Sequence, residues 1–217
     1  MIAELLPAGL VGWAERFDDV EPDDLYPQEA ATVARAVPKR RREFATGRRL
    51  ARRALAELGV PPAPILPGDR GAPGWPAGVV GSITHCPGYR AAVVGLSDRV
   101  TTIGLDAEPD EPLPPGVLDE VSLPAERDRI AQLGPGGVSW DRLLFCAKEA
   151  VYKAWFPLTR RWLGFTEAHV DLGPDGTFTA RPLVSTPVEQ FSGVWRSEKN
   201  LLLAVIVLPS DGARSGR

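Results

Sequence analysis

The apolar and polar positions of this chain are most regular between Trp140 and Phe156. Leu143, Leu144, Ala147, Ala150, Val151, Ala154 and Trp155 recur at steps of three and four, the period of a helix with one buried face. Ser139, with Asp141 in the first turn, is its predicted N-cap, and Pro157 is predicted to stop it after Phe156. A second helical period runs from Arg40 to Leu58 through Phe44, Leu50, Ala51, Ala54, Leu55 and Leu58, closed by Gly59 and Pro61. A shorter helical segment from Pro27 ends near Val37-Pro38, and another helix is predicted to start near Pro124-Ala125-Glu126. Apolar runs at Val79–Cys86, Tyr89–Leu96 and Val100–Leu105 read as strands, with Ser97-Asp98-Arg99 predicted to close a hairpin between the last two. Val170–Leu172, Phe178–Leu183, Val188–Trp195 and Leu201–Leu208 read as antiparallel strands, with Asp175-Gly176 as a hairpin turn. Each half therefore offers a long helix and several strands, an α+β pattern that points to a pseudo-repeat. Val60 to Gly78, rich in proline and glycine, reads as an extended loop, and 209–217 as a disordered polar tail.

Composition narrows the class. The chain has 217 residues, 44% apolar and 24% charged, enough for one sizeable core or two small ones. No run approaches the ~20 apolar residues that span a bilayer. The N-terminus carries Glu4 and no basic region of the signal-peptide kind, so the expected location is cytoplasmic, with no membrane partner. Cys86 and Cys146 fit no metal-binding spacing and read as reduced small hydrophobes. The net charge of −3 hides a segregation: Arg35 to Arg53 holds nine Lys/Arg residues against Glu43, and Asp106 to Asp128 holds eight acids against Arg127. A weakly acidic protein with one dense cationic segment suits a discrete anion rather than nucleic acid in general.

Three clusters carry candidate chemistry. In the helix of Trp140, Lys148, Glu149, Tyr152 and Lys153 fall within little more than one turn. Glu149 and Lys153 are i,i+4, which alone would make a surface ion pair contributing roughly 0.2–0.5 kcal/mol. Asp106 and Glu108 alternate on a strand and so share a face. Two adjacent carboxylates repel unless a cation lies between them, and all-oxygen donors favour Mg²⁺ or Mn²⁺. Gly81-Ser82-Ile83-Thr84-His85 gathers a glycine, two hydroxyls and an imidazole, a set suited to phosphate, and Arg70 can aim at the same anion. Arg48/Arg52 and Arg49/Arg53 set like charges at i,i+4; such pairs are either well solvated or relieved by an anion such as phosphate.

The ordered set Gly81-Ser82-Ile83-Thr84-His85, Ile103-Gly104-Leu105-Asp106-Ala107-Glu108 and Lys148-Glu149-Ala150-Val151-Tyr152-Lys153 resembles the 4′-phosphopantetheinyl transferase superfamily, of the surfactin- and enterobactin-synthetase type. The similarity covers about residues 38–170. The Arg-rich segment, the Pro-rich loop and Phe145-Cys146-Ala147-Lys148-Glu149 look most like the enterobactin branch and its actinobacterial relatives. The resemblance implies two similar α+β subdomains with pseudo-twofold symmetry and an active site in the cleft between them. The expected boundaries are 1–107 and 108–208, followed by the 209–217 tail. It implies transfer of the 4′-phosphopantetheine arm of coenzyme A to a serine of an apo acyl or peptidyl carrier protein, with adenosine 3′,5′-bisphosphate as the other product. Asp106, Glu108 and Glu149 would hold Mg²⁺ (or Mn²⁺), and Glu149 would also take the serine proton. Lys153 and Lys148 would neutralise phosphate oxygens, Ser82 and His85 would contact the coenzyme phosphates, and Arg40, Arg48 and Arg70 would lie near the 3′-phosphate. Arg160 and Arg161, with Trp162 and Phe165, are the expected docking surface for an acidic carrier from fatty-acid, polyketide or peptide synthesis. An internal pseudo-dimer makes a monomer the simpler expectation.

Three other readings predict different behaviour. A non-catalytic coenzyme A or nucleotide-binding module would have lost one of Asp106, Glu108 and Glu149, and all are present. A nucleic-acid binder using Arg35–Arg53 would bind with a steep salt dependence and without coenzyme A. A metal-dependent phosphoesterase would consume coenzyme A with no carrier protein present.

Overall fold

The computed structural model describes residues 1–134 and 136–210. Positions 211–217 of the expected tail lie outside the described residues. Its first two positions are ordered: Pro209 ends a strand, and Ser210 bonds through its backbone N–H to Arg99 O and through its hydroxyl to Asp98 O. The chain divides into two units, Leu6–Ile103 with the segment that begins at Pro209, and Gly104–Leu208 with Met1–Leu5. The division thus falls before Gly104 rather than after Ala107. The first residues join the C-terminal unit, where Arg196 binds Glu4.

The N-terminal unit contains β1 (Val11–Arg16), α1 (Pro27–Thr32), α2 (Pro38–Glu57), β2 (Val79–Cys86) and β3 (Tyr89–Leu96). Its sheet is antiparallel in the order β1-β3-β2. The predicted face of α2 is the buried one: Leu50, Ala51, Ala54 and Leu55 pack with Ala14, Ala92 and Val94.

Several arginines of α2 are bound by the same chain. Arg49 binds Asp23 and Asp24, Arg52 binds Glu29, and Arg41 donates to the carbonyls of Val33, Ala34 and Ala36. The like-charge repulsion along the helix is therefore relieved largely by acids of the same chain. Those acids lie at least a score of residues away, so local spacing could not reveal them.

The C-terminal unit is built on β4 (Val100–Pro109), α3 (Val117–Val121), α4 (Pro124–Leu133), α5 (Trp140–Thr159), β5 (Ala168–Leu172), β6 (Thr177–Pro182), β7 (Phe191–Glu198) and β8 (Leu201–Pro209). Its sheet runs β4-β8-β7-β6-β5. The hairpin expected between Tyr89–Leu96 and Val100–Leu105 does not form. Both edges of β3 are taken by β1 and β2, while β4 pairs with β8, so Ser97–Arg99 carries the chain from one sheet to the other. The Asp175-Gly176 turn is present between β5 and β6, with Gly176 at φ 88°. All seven predicted apolar positions of α5 are at most 1% exposed and pack on β5 to β8. Pro157 does not end α5, because in the last turn its missing N–H costs only one hydrogen bond. The helix closes at Arg160, in the left-handed region at φ 54°, whose N–H reaches Phe156 O. Among the described residues no helix is long and apolar enough to cross a membrane.

In each unit one strand glycine lets the long helix press onto the sheet. A Cβ on Gly12 of β1 would strike the carbonyl oxygen of Ala54 in α2, and one on Gly104 of β4 would strike that of Ala150 in α5. Helix and strand backbones meet there with no side chain between them. Gly12→Ala and Gly104→Ala are each expected to lower stability by at least about 1–3 kcal/mol, the usual cost of overpacking. Thermal unfolding measures this, and an unchanged Tm would refute the contact.

Candidate active site

The Gly104–Ala150 approach puts the end of β4 beside the middle of α5. Asp106 and Glu108 leave the strand on one face, with buried Ala107 between them pointing the other way. Asp106 is 5% exposed. Lys153 of α5 donates from Nζ to Asp106 Oδ1 at 2.6 Å and to Leu105 O at 3.1 Å. Arg142, in the first turn of α5, holds the second acid: Nη1 donates to Glu108 Oε2 at 3.1 Å, and its other nitrogens reach the carbonyls of Glu111 and Pro112.

The charges are coupled. Burial, and then the charge of Asp106, push the Glu149 carboxyl above the usual glutamate range, with Lys153 opposing. Burial and Asp106 do the same to Glu108, against Arg142. Burial disfavours the Lys153 ammonium, but Asp106 and then Glu149 outweigh it, so Lys153 is held above the ordinary lysine value. Asp106, Glu108, Glu149 and Lys153 thus form one electrostatic unit.

Lys148 is not part of it. Its side chain turns into the C-terminal unit, 3% exposed, and Nζ donates to Phe165 O at 2.5 Å and Ala168 O at 3.0 Å. It pairs with Glu126 Oε2 at 2.8 Å, a carboxylate that is itself buried. The expectation that Lys148 joins Lys153 as a phosphate ligand does not fit this placement: helical residues five apart point about 140° from each other, and the buried Glu126 already neutralises Lys148.

The N-terminal unit gathers a second set. Arg40 Nη1 lies 3.3 Å from His85 Nε2, and both side chains are about half exposed. Glu43 sits beneath them, with Oε2 3.7 Å from Arg40 and 3.6 Å from His85. Ser82 is on the same strand as His85 but is 3% exposed. Arg70 is exposed, in a left-handed turn at φ 54°. Arg48 is buried: its guanidinium stacks on Phe44 at 4.0 Å, Nε donates to Ile65 O at 2.8 Å, and burial pushes its pKa down to about 10.

Residues 28–95 match the 4′-phosphopantetheinyl transferase N-terminal domain, and residues 102–206 match the 4′-phosphopantetheinyl transferase superfamily domain. The chain belongs to the 4′-phosphopantetheinyl transferase superfamily. It is a transferase of that class. It is 50% identical to 4′-phosphopantetheinyl transferase PptT of Mycobacterium tuberculosis, over 96% of this chain and 98% of the relative. It is 53% identical to 4′-phosphopantetheinyl transferase Svp of Streptomyces mobaraensis, over 96% and 89%. Enterobactin synthase component D of Escherichia coli is 35% identical over 62% of this chain and 64% of the relative. These relatives agree with the likeness of the motifs to the enterobactin branch and its actinobacterial members.

The donor set fits a divalent cation of the hard class. Among the described residues no three His, Cys, Asp or Glu side chains converge as a ready-made shell. Mg²⁺ needs only one or two carboxylates, completed by substrate phosphate and water. Asp106 and Glu108 would supply them, and the Glu108 and Glu149 carboxyls, raised by burial and then by the charge of Asp106, gather negative charge that such a cation would relieve.

Sequence reasoning missed Glu126, Arg142 and Glu43. Only Glu126 had a local signal: proline at the first helical position and glutamate at the third are marks of a helix start, and its Oε2 accepts the Leu123 N–H.

In the metal-free protein, Glu149 is expected to titrate above an ordinary glutamate, and Asp106→Asn to lower it by removing a like charge. Because the folded form binds protons more tightly, this carboxyl's contribution to stability is present at low pH and is lost as pH rises through its raised pKa. A ¹³C NMR titration of the side-chain carboxyls checks both; an unmoved Glu149 in Asp106→Asn would contradict the coupling.

Proposed function

We propose that this transferase moves 4′-phosphopantetheine from coenzyme A to a serine hydroxyl of an apo acyl or peptidyl carrier protein, leaving adenosine 3′,5′-bisphosphate. The observation that carries the reading is the Asp106/Glu108/Glu149/Lys153 unit, in a chain whose family transfers this group. The serine oxygen forms a bond to the pantetheine-side phosphorus as the bond to the leaving phosphate breaks. That step needs a base for the serine proton and positive charge on the phosphates.

Glu149 is the base. Burial, and then Asp106, raise its carboxyl above the usual glutamate range, which makes it a better proton acceptor than an ordinary glutamate. Lys153 stays charged, anchored on Asp106 and Leu105 O, and presents its ammonium to the leaving phosphate. Asp106 and Glu108 would hold Mg²⁺ or Mn²⁺, with Glu149 beside them; bound there, the ion withdraws charge from the pyrophosphate. Arg142 keeps the Glu108 carboxylate facing that position.

In the N-terminal unit, Arg40 and His85 are the exposed donor pair for the coenzyme phosphates, with Arg70 as a further donor from its turn. Arg48 and Ser82, both buried, complete the set. Glu43 lies 3.7 Å from Arg40 and 3.6 Å from His85 and keeps the two side chains together. Arg160, Arg161 and Trp162 are exposed at the end of α5, Trp162 at 55%, and form the surface offered to an acidic carrier. The reading requires neither nucleic acid nor a second copy of the chain.

Intact mass of an apo carrier incubated with this protein, coenzyme A and Mg²⁺ tests the proposal. One phosphopantetheine arm should be gained, and lost with EDTA or Glu149→Gln. Arg40→Ala with His85→Ala should raise the coenzyme A Kd at least tenfold. Consumption of coenzyme A with no carrier present would favour hydrolysis instead.

A further inference from the structure

The two units repeat one set of contacts, residue for residue. In the N-terminal unit, Glu29 near the start of α1 follows Pro27. Its Oε2 accepts the Tyr26 N–H at 3.0 Å, and its Oε1 accepts the N–H of Ile65, beyond the long helix, at 2.8 Å. Arg52 of α2 completes it at 2.9 Å. In the C-terminal unit, Glu126 near the start of α4 follows Pro124. Oε2 accepts the Leu123 N–H at 2.6 Å, Oε1 accepts the N–H of Val170, beyond the long helix, at 2.7 Å, and Lys148 of α5 completes it at 2.8 Å. Both glutamates are at most 1% exposed.

The helices then stay in step. Two residues after Arg52 is Ala54, whose carbonyl faces Gly12; two after Lys148 is Ala150, whose carbonyl faces Gly104. Three further on, Glu57 accepts the N–H of Trp13, the residue after Gly12, at 3.1 Å. At the same step Lys153 donates to the carbonyl of Leu105, the residue after Gly104, also at 3.1 Å.

This register says which site residues are new to the C-terminal unit and which belong to the shared scaffold. Asp106, Glu108, Glu149 and Lys153 stand where the N-terminal unit has Ala14, Arg16, Arg53 and Glu57, so none keeps its chemistry. Lys148 alone has a like counterpart, Arg52, which binds a buried glutamate.

We infer that Lys148 is a positioning residue: with Glu126 it forms a buried latch that ties α5 to α4 and to the Phe165–Ala168 segment, and so fixes the direction of Glu149, the next residue, without touching the coenzyme. The role assigned to Glu149 rests on the transfer reading above; the latch itself does not. The latch joins four elements through one carboxylate and one ammonium. Removing either partner strands the other in the interior, and the two losses are one event rather than two.

The test is a double-mutant cycle with Lys148→Met and Glu126→Gln, plus Lys148→Arg, which copies the residue of the other unit. Without coenzyme A, each of the first two should lower Tm by about 6 °C or more, and the double variant should be little worse than either alone. Both should cut kcat at least tenfold, with KM for coenzyme A and its Kd, measured by calorimetry without carrier, changed less than threefold. Lys148→Arg should recover most of the lost kcat. The inference is overturned if Lys148→Met weakens coenzyme A at least tenfold while Glu126→Gln does not, or if Lys148→Met leaves the ligand-free Tm unchanged. Should both single variants fail to fold, Lys148→Arg decides: retained kcat and Kd support the latch, and a tenfold weaker coenzyme A Kd at unchanged Tm refutes it. Wild-type protein that modifies no carrier, beside an intact Tm cycle, would count against the transfer reading and leave the latch standing.

Discussion

The approach of Gly104 in β4 to the carbonyl of Ala150 in α5, which leaves no room for a Cβ, is the constraint on which the site depends. Side chains that must share a proton or an anion need to be within a few ångströms, yet strands and helices normally pack with a layer of side chains between them. Omitting one side chain closes that layer at one point. Just beyond it, on either element, lie Asp106 and Lys153, and their 2.6 Å contact follows from the backbone geometry. The alanines Ala147, Ala150 and Ala154, all fully buried on the same face of α5, extend the flat surface that lets the helix sit this low.

Electrostatics then divides the roles. Burial, and then the charge of Asp106, raise the carboxyls of both Glu149 and Glu108. Two cations answer them from the same helix: Lys153 on Asp106, and Arg142 on Glu108. The result is a cluster of acids with an ammonium fixed on Asp106, a charge pattern that would suit a phosphate group together with a divalent ion. A glutamate with a raised pKa and a lysine with a raised pKa coexist here because Asp106 acts on both in the same direction, adding to burial at Glu149 and opposing it at Lys153.

A buried glutamate at the third position of a short helix recurs in each unit, as Glu29 and as Glu126. Each carboxylate accepts two backbone N–H groups and one cationic side chain, so few of its lone pairs lack a donor in a place water does not reach. The scaffold chemistry is therefore common to both units, whereas the acids of the site belong to one.

Much of this was legible in the sequence. The period of α5 fixed its buried face, because apolar side chains at steps of three and four have only one way to leave water, and all seven are buried. Strand alternation put Asp106 and Glu108 on one face, and the three ordered motifs identified the superfamily. What the tertiary structure alone decided were pairings between residues far apart in the chain. Lys148 turns to Glu126 and away from Lys153; Arg49 and Arg52 of α2 meet Asp23, Asp24 and Glu29; β4 leaves β3 for β8; Arg142 rather than a neighbour in sequence steadies Glu108. Periodicity reports which side of an element is apolar, since that depends on local spacing. The partner of a charge on its polar side depends on which distant segment folds over it, and no local pattern encodes that.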